Sequence, residues 1–155
     1  MKKLLALLLI IVAISCKKDQ NEEDENKVVY QESQLLGRWV YESIKLNGVS
    51  TPYVHKCRTK DAFYFRNRPG RDHQYDENIF NANCSASSSS TIWRLEGNNL
   101  ALRGPKDTYY KILRLNETNF DVSLTVDFDG DGKIDKVEIY AIKGTCEKSD
   151  PNCEY

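Results

Sequence analysis

Histidine is scarce in this chain: His55 and His73 are the only two in 155 residues. Ser–His–Asp or Cys–His chemistry would have to draw on one of them. His55 lies two residues from Cys57, a spacing that on a strand or loop fixes no geometry. The serine run from Ser85 to Ser90 lacks the glycines of a nucleophile elbow. No acid/base pair and no phosphate-cradling loop is visible, so the sequence predicts a protein that is not an enzyme. An excess of charge is also missing. Lys and Arg number 22 against 23 Asp and Glu, a formal net charge of −1. No global field would gather a polyanion, which argues against nucleic acid as a partner. The cysteines show no Cys-x-x-Cys pair, which removes the usual structural zinc site. Long hydrophobic runs are confined to one, at the N-terminus, which excludes a multi-span membrane protein. From Leu35 onward no long segment shows the 3.6-residue apolar period of a helix.

What is present is a globular balance, 40% hydrophobic and 29% charged, with nine Tyr, five Phe and two Trp to build a core. The N-terminus comes first. Lys2 and Lys3 precede Leu4 to Ile14, eleven uncharged apolar residues. As a helix these would rise about 16 Å, roughly half of a bilayer core of about 30 Å, so the run reads as the core of a signal peptide. Ser15-Cys16 directly after it resembles the lipobox of bacterial lipoproteins. That resemblance implies a signal peptide over residues 1–15, cleavage before Cys16, and acylation of Cys16. Two or more acyl chains would hold the protein on a membrane. The stretch Lys17 to Lys27 has no apolar residue, so residues 16–34 read as the lipidated Cys and a flexible acidic tether. Eighteen residues span at most about 60 Å, and about 23 Å on average if flexible. The Cys-Lys-Lys-Asp start resembles lipoproteins of the Bacteroidetes. It implies the cell envelope, most simply the outer membrane, on either its periplasmic or its surface face.

Residues 35–145 read as strands. Short runs rich in aromatic and β-branched residues recur between turn residues. They are Gly37 to Leu46, Ala62 to Arg66, Asp72 to Phe80, Thr91 to Glu96, Asn99 to Arg103, Thr108 to Leu115, Phe120 to Val126 and Ile134 to Ile142. Asn47-Gly48 and Gly97-Asn98 are tight-turn signals. Ser85 to Ser90 reads as a loop. Eight short strands in sequence-adjacent pairs predict an all-β domain, an up-and-down barrel or a sandwich, and closure would remove exposed edges.

Leu35-Leu36-Gly37-Arg38-Trp39 carries Gly-x-Trp at the start of the first strand, a pattern similar to the opening motif of lipocalins. The series that follows resembles the lipocalin-like domains of Bacteroidetes lipoproteins: Asn47-Gly48, a Cys, a Phe-bearing strand, another Cys, a Trp-bearing strand, then Gly97-Asn98-Asn99-Leu100. The resemblance implies an eight-stranded antiparallel up-and-down barrel with a one-ended cavity for small hydrophobic molecules. Trp39 would plug its base. The sequence departs from lipocalins in having no Thr-Asp-Tyr and no Arg after the last strand to pack on Trp39. Two functions stay open. One is an anchored barrel that holds a small hydrophobic ligand. The other is a non-catalytic interaction or inhibitor module with a filled barrel, its partner another envelope protein. A barrel packed with Trp39, Phe63, Phe65 and Trp93 would favour the second.

Besides Cys16 there are four cysteines, an even count in an exported chain, which suggests two disulfides. Of three connectivities, Cys57–Cys84 with Cys146–Cys153 is favoured, because each pair brackets a local loop. Residues 146–155 then form a disulfide-closed tail.

The sharpest local signal is acidic. Asp127, Asp129 and Asp131 occupy positions 1, 3 and 5 of the twelve-residue calcium-loop pattern, and Gly132 occupies position 6. Lys133 would offer its carbonyl at position 7, Asp135 stands at 9 and Glu138 at 12. Calcium takes six to eight oxygens, and alternating acids can wrap them around one centre. The flanks alternate as strands rather than helices, so the expectation is a Ca2+ site, EF-hand-like in sequence, at the tip of the last hairpin. The competing reading is a polar turn, since Asp-Gly pairs are ordinary turn formers.

Overall fold

The structure, a computed structural model, describes residues 28–146 except Pro69 and Ala82. The expected signal peptide, Cys16, most of the tether and Cys153 therefore lie outside the described residues, and with them the anchor and the Cys146–Cys153 bridge.

The first strand, β1 (Gly37–Leu46), turns at Asn47-Gly48 into β2 (Val49–Pro52). Both turn residues have positive φ, +48° and +88°. A two-residue hairpin turn needs this, and Asn and Gly tolerate it best. A 3₁₀ turn at Arg58–Lys60 leads to β3 (Ala62–Arg68) and β4 (Arg71–Phe80). Then follow β5 (Ala86–Glu96), β6 (Asn99–Leu102), β7 (Thr108–Leu115), β8 (Asn119–Val126) and β9 (Asp135–Lys143). From β3 to β9 each strand pairs antiparallel with the next. Closure comes from β1 against β9, from Trp39 opposite Lys143 to Leu46 opposite Val137. On its other edge β1 meets β3 at Gly37–Trp39 and β2 at Ser43–Leu46. Eight strands thus form a closed antiparallel barrel, and β2 is a short flap beside the ring.

Three expectations are corrected. Residues 86–90 of the serine run are strand, not loop: they extend β5 opposite Asp76 to Phe80. Their side chains are exposed, so backbone pairing makes the strand and no apolar alternation marks it. β2 is a strand the sequence does not announce, because all four of its residues are exposed. The tether ends earlier than Gln34. One helical turn, α1 (Glu32–Leu35), seats Leu35 in the core at 0% exposure, and Tyr30 packs against the same cluster.

Alternation directs the core inward. Phe63 and Phe65 on β3, Trp93 on β5 and Phe120 and Val122 on β8 are all buried. Each large apolar side chain taken from water contributes roughly 1.5–3 kcal/mol. The lower half of the barrel is filled with rings. Phe65 lies 5.6 Å from both Trp93 and Phe120, and Trp39 lies 5.5 Å from Phe120, centroid to centroid. Trp39 plugs the base as expected, its Nε1 donating to the Leu35 carbonyl at 2.7 Å. The cation over its face is Lys143, with Nζ 4.3 Å from the ring centroid. Lys143 also donates to the Leu36 carbonyl. A lysine at the end of the last strand therefore packs where an Arg was sought.

Candidate functional site

Above the ring-filled base the barrel is not full. A cavity of about 60 Å³ remains, with Phe65 and Phe120 lining it from the base cluster and Tyr41, Phe63, Tyr75 and Tyr110 among its walls. Leu100, Leu102, Val122 and Ile139 complete the apolar lining. Its volume lies well under the roughly 300 Å³ at which drug-sized sites begin. One charged residue faces it, Glu77 on β4. The Tyr41 hydroxyl donates to Glu77 Oε1, and Ser89 Oγ lies 3.5 Å from Glu77 Oε2. Burial pushes the Tyr41 and Tyr75 phenols well up, and the Glu77 carboxylate adds to the rise. Tyr110 is raised by the same two causes. All three phenols therefore stay protonated and can donate at any physiological pH.

The rim beside Glu77 is built by the segment between β2 and β3. Tyr53 packs on Tyr41 at 5.1 Å. Asp61, fully buried, gathers this segment. Its Oδ2 accepts from the Tyr53 hydroxyl at 2.7 Å and faces His55 Nε2, while Oδ1 accepts from the Phe80 amide at 2.8 Å. Cys57 is joined to Cys84, as expected, with Cα atoms 5.7 Å apart. His55 Nδ1 accepts from the Cys57 amide, and the Cys57 sulfur is committed to its disulfide. His73 packs on Trp93 at 4.7 Å and meets Glu32 at 2.9 Å. Both histidines are thus occupied by structural contacts.

A closed eight-stranded barrel plugged by Trp39, with a cavity above the plug, is the arrangement the sequence motifs implied. The family model of the lipocalin-like domain matches residues 35–122. The chain belongs to the lipocalin-like domain family. A lipocalin-like protein from Bacteroides uniformis shares its fold at 9% identity, over 72% of this chain and 99% of that one, with a TM-score of 0.51. Bovine odorant binding protein, solved in complex with a selenium-containing odorant, is 14% identical, over 79% and 78% of the two chains, with a TM-score of 0.45. No curated protein matches the sequence. Sequence reading named no lining for this cavity. Period 2 along β4 does place Tyr75 and Glu77 on one face. Which face turns inward is decided by pairing with β3 and β5, and that is not local information.

The acidic residues lie at the end of the lipocalin-like barrel away from the Trp39 base, in the loop joining β8 to β9. Asp127, Asp129 and Asp135 bring one carboxylate oxygen each to within 4.8 Å of one another. The loop is wound by its own acids. Asp127 accepts from the amides of Gly130 and Gly132, at 2.9 and 3.1 Å. Those glycines have φ of +79° and +84°, a conformation other residues adopt with strain. Asp129 accepts from the Asp131 amide at 3.1 Å. Asp135, buried, accepts from Asn47 Nδ2 at 2.6 Å and from the Phe128 amide at 3.1 Å. Two of the expected side-chain ligands are not in this group. Asp131 is turned to Lys133, whose ammonium and backbone N–H hold its carboxyl below the usual range. Glu138 stands on β9, bound by Lys136 at 2.7 Å and Tyr140 at 2.7 Å, with Lys45 at 3.6 Å. Strand geometry gives position 12 a place in the ladder, where a helix would return it to the loop.

Proposed function

We propose that this lipocalin-like protein is an exported binding protein, anchored to the cell envelope through Cys16, that takes a small, mostly apolar ligand in the upper barrel. The observation that carries the reading is the apolar cavity left above a base that is otherwise packed with rings. Its size argues for a compact molecule or the head of a larger one, not for a long acyl chain buried whole. The β8–β9 loop serves as a structural calcium site, supported by the convergence of Asp127, Asp129 and Asp135. Calcium would add the charge that three converging carboxylates lack.

The packed base, with Trp39, Phe63, Phe65 and Trp93 all buried, favours a second reading, an interaction or inhibitor module for an envelope protein. Methyl-labelled protein separates the two. Titration with small apolar molecules such as benzene or 2-methylpropan-1-ol should shift the methyl resonances of Leu100, Leu102, Val122 and Ile139 saturably. If a set of such molecules leaves those methyls unmoved, the interaction-module reading takes its place.

A further inference from the structure

We infer that the upper-barrel cavity selects a small organic ammonium ion, with Glu77 as its counter-charge and the surrounding tyrosines as its cage. The inference rests on the ligand-binding reading above and narrows it to a chemical class.

Glu77 is half-buried in the wall of a cavity whose other lining residues are aromatic or aliphatic. Two other carboxylates on the barrel have their cation supplied by the chain: Asp76 meets Arg66 at 3.0 Å and Asp121 meets Arg114 at 2.7 Å. Among the described residues no Lys, Arg or His forms an ion pair with Glu77. Its polar neighbours are hydroxyls, those of Tyr41, Tyr75 and Ser89. A charge in such surroundings favours a compensating cation from outside. The rings of Tyr41, Phe63, Tyr75 and Tyr110 supply electron-rich faces, which attract a desolvated cation. A primary ammonium has three donors and no acceptor, and Glu77 with the tyrosine oxygens offers acceptors. Glu77 also disfavours a carboxylate ligand, since like charges at short range in a partly dry site repel strongly. The small cavity limits the ligand to a short apolar body on the ammonium head.

Three isosteres decide the matter. 2-Methylpropan-1-amine, 2-methylpropan-1-ol and 2-methylpropanoate share one apolar body and differ only in the head group. Calorimetric or NMR titration at pH 7 should rank ammonium above alcohol and alcohol above carboxylate. Glu77→Gln should weaken the ammonium about tenfold or more, the range of a hydrogen bond to a charged group, and should remove its lead over the alcohol. If the alcohol binds the unaltered protein as well as the ammonium does, the ammonium inference is overturned while the ligand-binding reading stands. If none of the three binds saturably, both fall. The ranking on the unaltered protein decides by itself should the variant not fold.

Discussion

Glu138 shows how one residue can satisfy a motif and still be claimed by another partner. The Lys136 ammonium, with the Tyr140 hydroxyl, holds its carboxyl down at about 2. An unfolded Glu titrates near about 4.3. The folded value is the lower one, so the stabilisation is fully present above the unfolded value and is lost as pH falls from about 4.3 through about 2. Lys136, the nearer lysine, is largely exposed, at 64%, so screening keeps the worth of the group to about 0.5 kcal/mol. Glu138→Gln should therefore cost about 0.5 kcal/mol at pH 7, and the gap to the unaltered protein should close toward pH 2. Urea titrations in chelator across that range measure it. A gap independent of pH would show that the carboxylate charge is not what stabilises. At this scale the sequence was legible for Trp39, Cys57 and Cys84. It was not legible for Glu77, because an acid next to Asp76 and Asn78 on a weakly patterned strand reads as one more exposed polar residue.

Among the elements, the β8–β9 loop and the β2–β3 rim carry the sharpest expectations. A ligand that binds only the folded state at ten times its Kd stabilises by about 1.4 kcal/mol, which for a domain of this size raises Tm on the order of 5 °C. Calcium at about 5–10 mM should produce that rise, since exported calcium modules bind at about 0.1–1 mM, and magnesium should do less. Asp129→Ala should abolish the rise and leave the calcium-free melt near that of the unaltered protein. Asp135→Ala should cost about 1–3 kcal/mol even in chelator, because Asn47 and the Phe128 amide lose a buried acceptor. A melt that ignores both chelator and calcium would mean a turn held by its own hydrogen bonds. For the rim, replacing Cys57 and Cys84 by Ser should cost about 3.5 kcal/mol by the loop-closure estimate, with far-ultraviolet circular dichroism still reporting a barrel. Most strands were legible from alternation, and Asn47-Gly48 from turn chemistry. The exposed half of β5 and the whole of β2 were not, since a strand held by backbone pairing with both faces wet leaves no apolar period to read.

For the whole molecule the first expectation concerns place. Cys16→Ala should move the protein from the membrane fraction to a soluble one, and a variant that still sediments in high salt would end the anchor reading. The closed ring was legible from eight alternating segments and the Gly37-x-Trp39 motif. How much of its interior is empty was not, because cavity volume is set by how rings from six strands interlock. That closure has a consequence for crowding. Lipid-anchored copies would share a two-dimensional surface, where encounters are frequent and an unpaired strand edge invites a neighbour to add on. Among the described strands β2 keeps such an edge, and so do residues 86–91 of β5, which pair with β4 alone because the ladder to β6 begins at Trp93. β2 is four residues long and ends in Pro52, which has no amide to donate. A membrane dense with this protein therefore leaves the serine stretch of β5 as the edge a neighbour could reach, and its exposed, polar side chains bring no apolar burial to such a pairing.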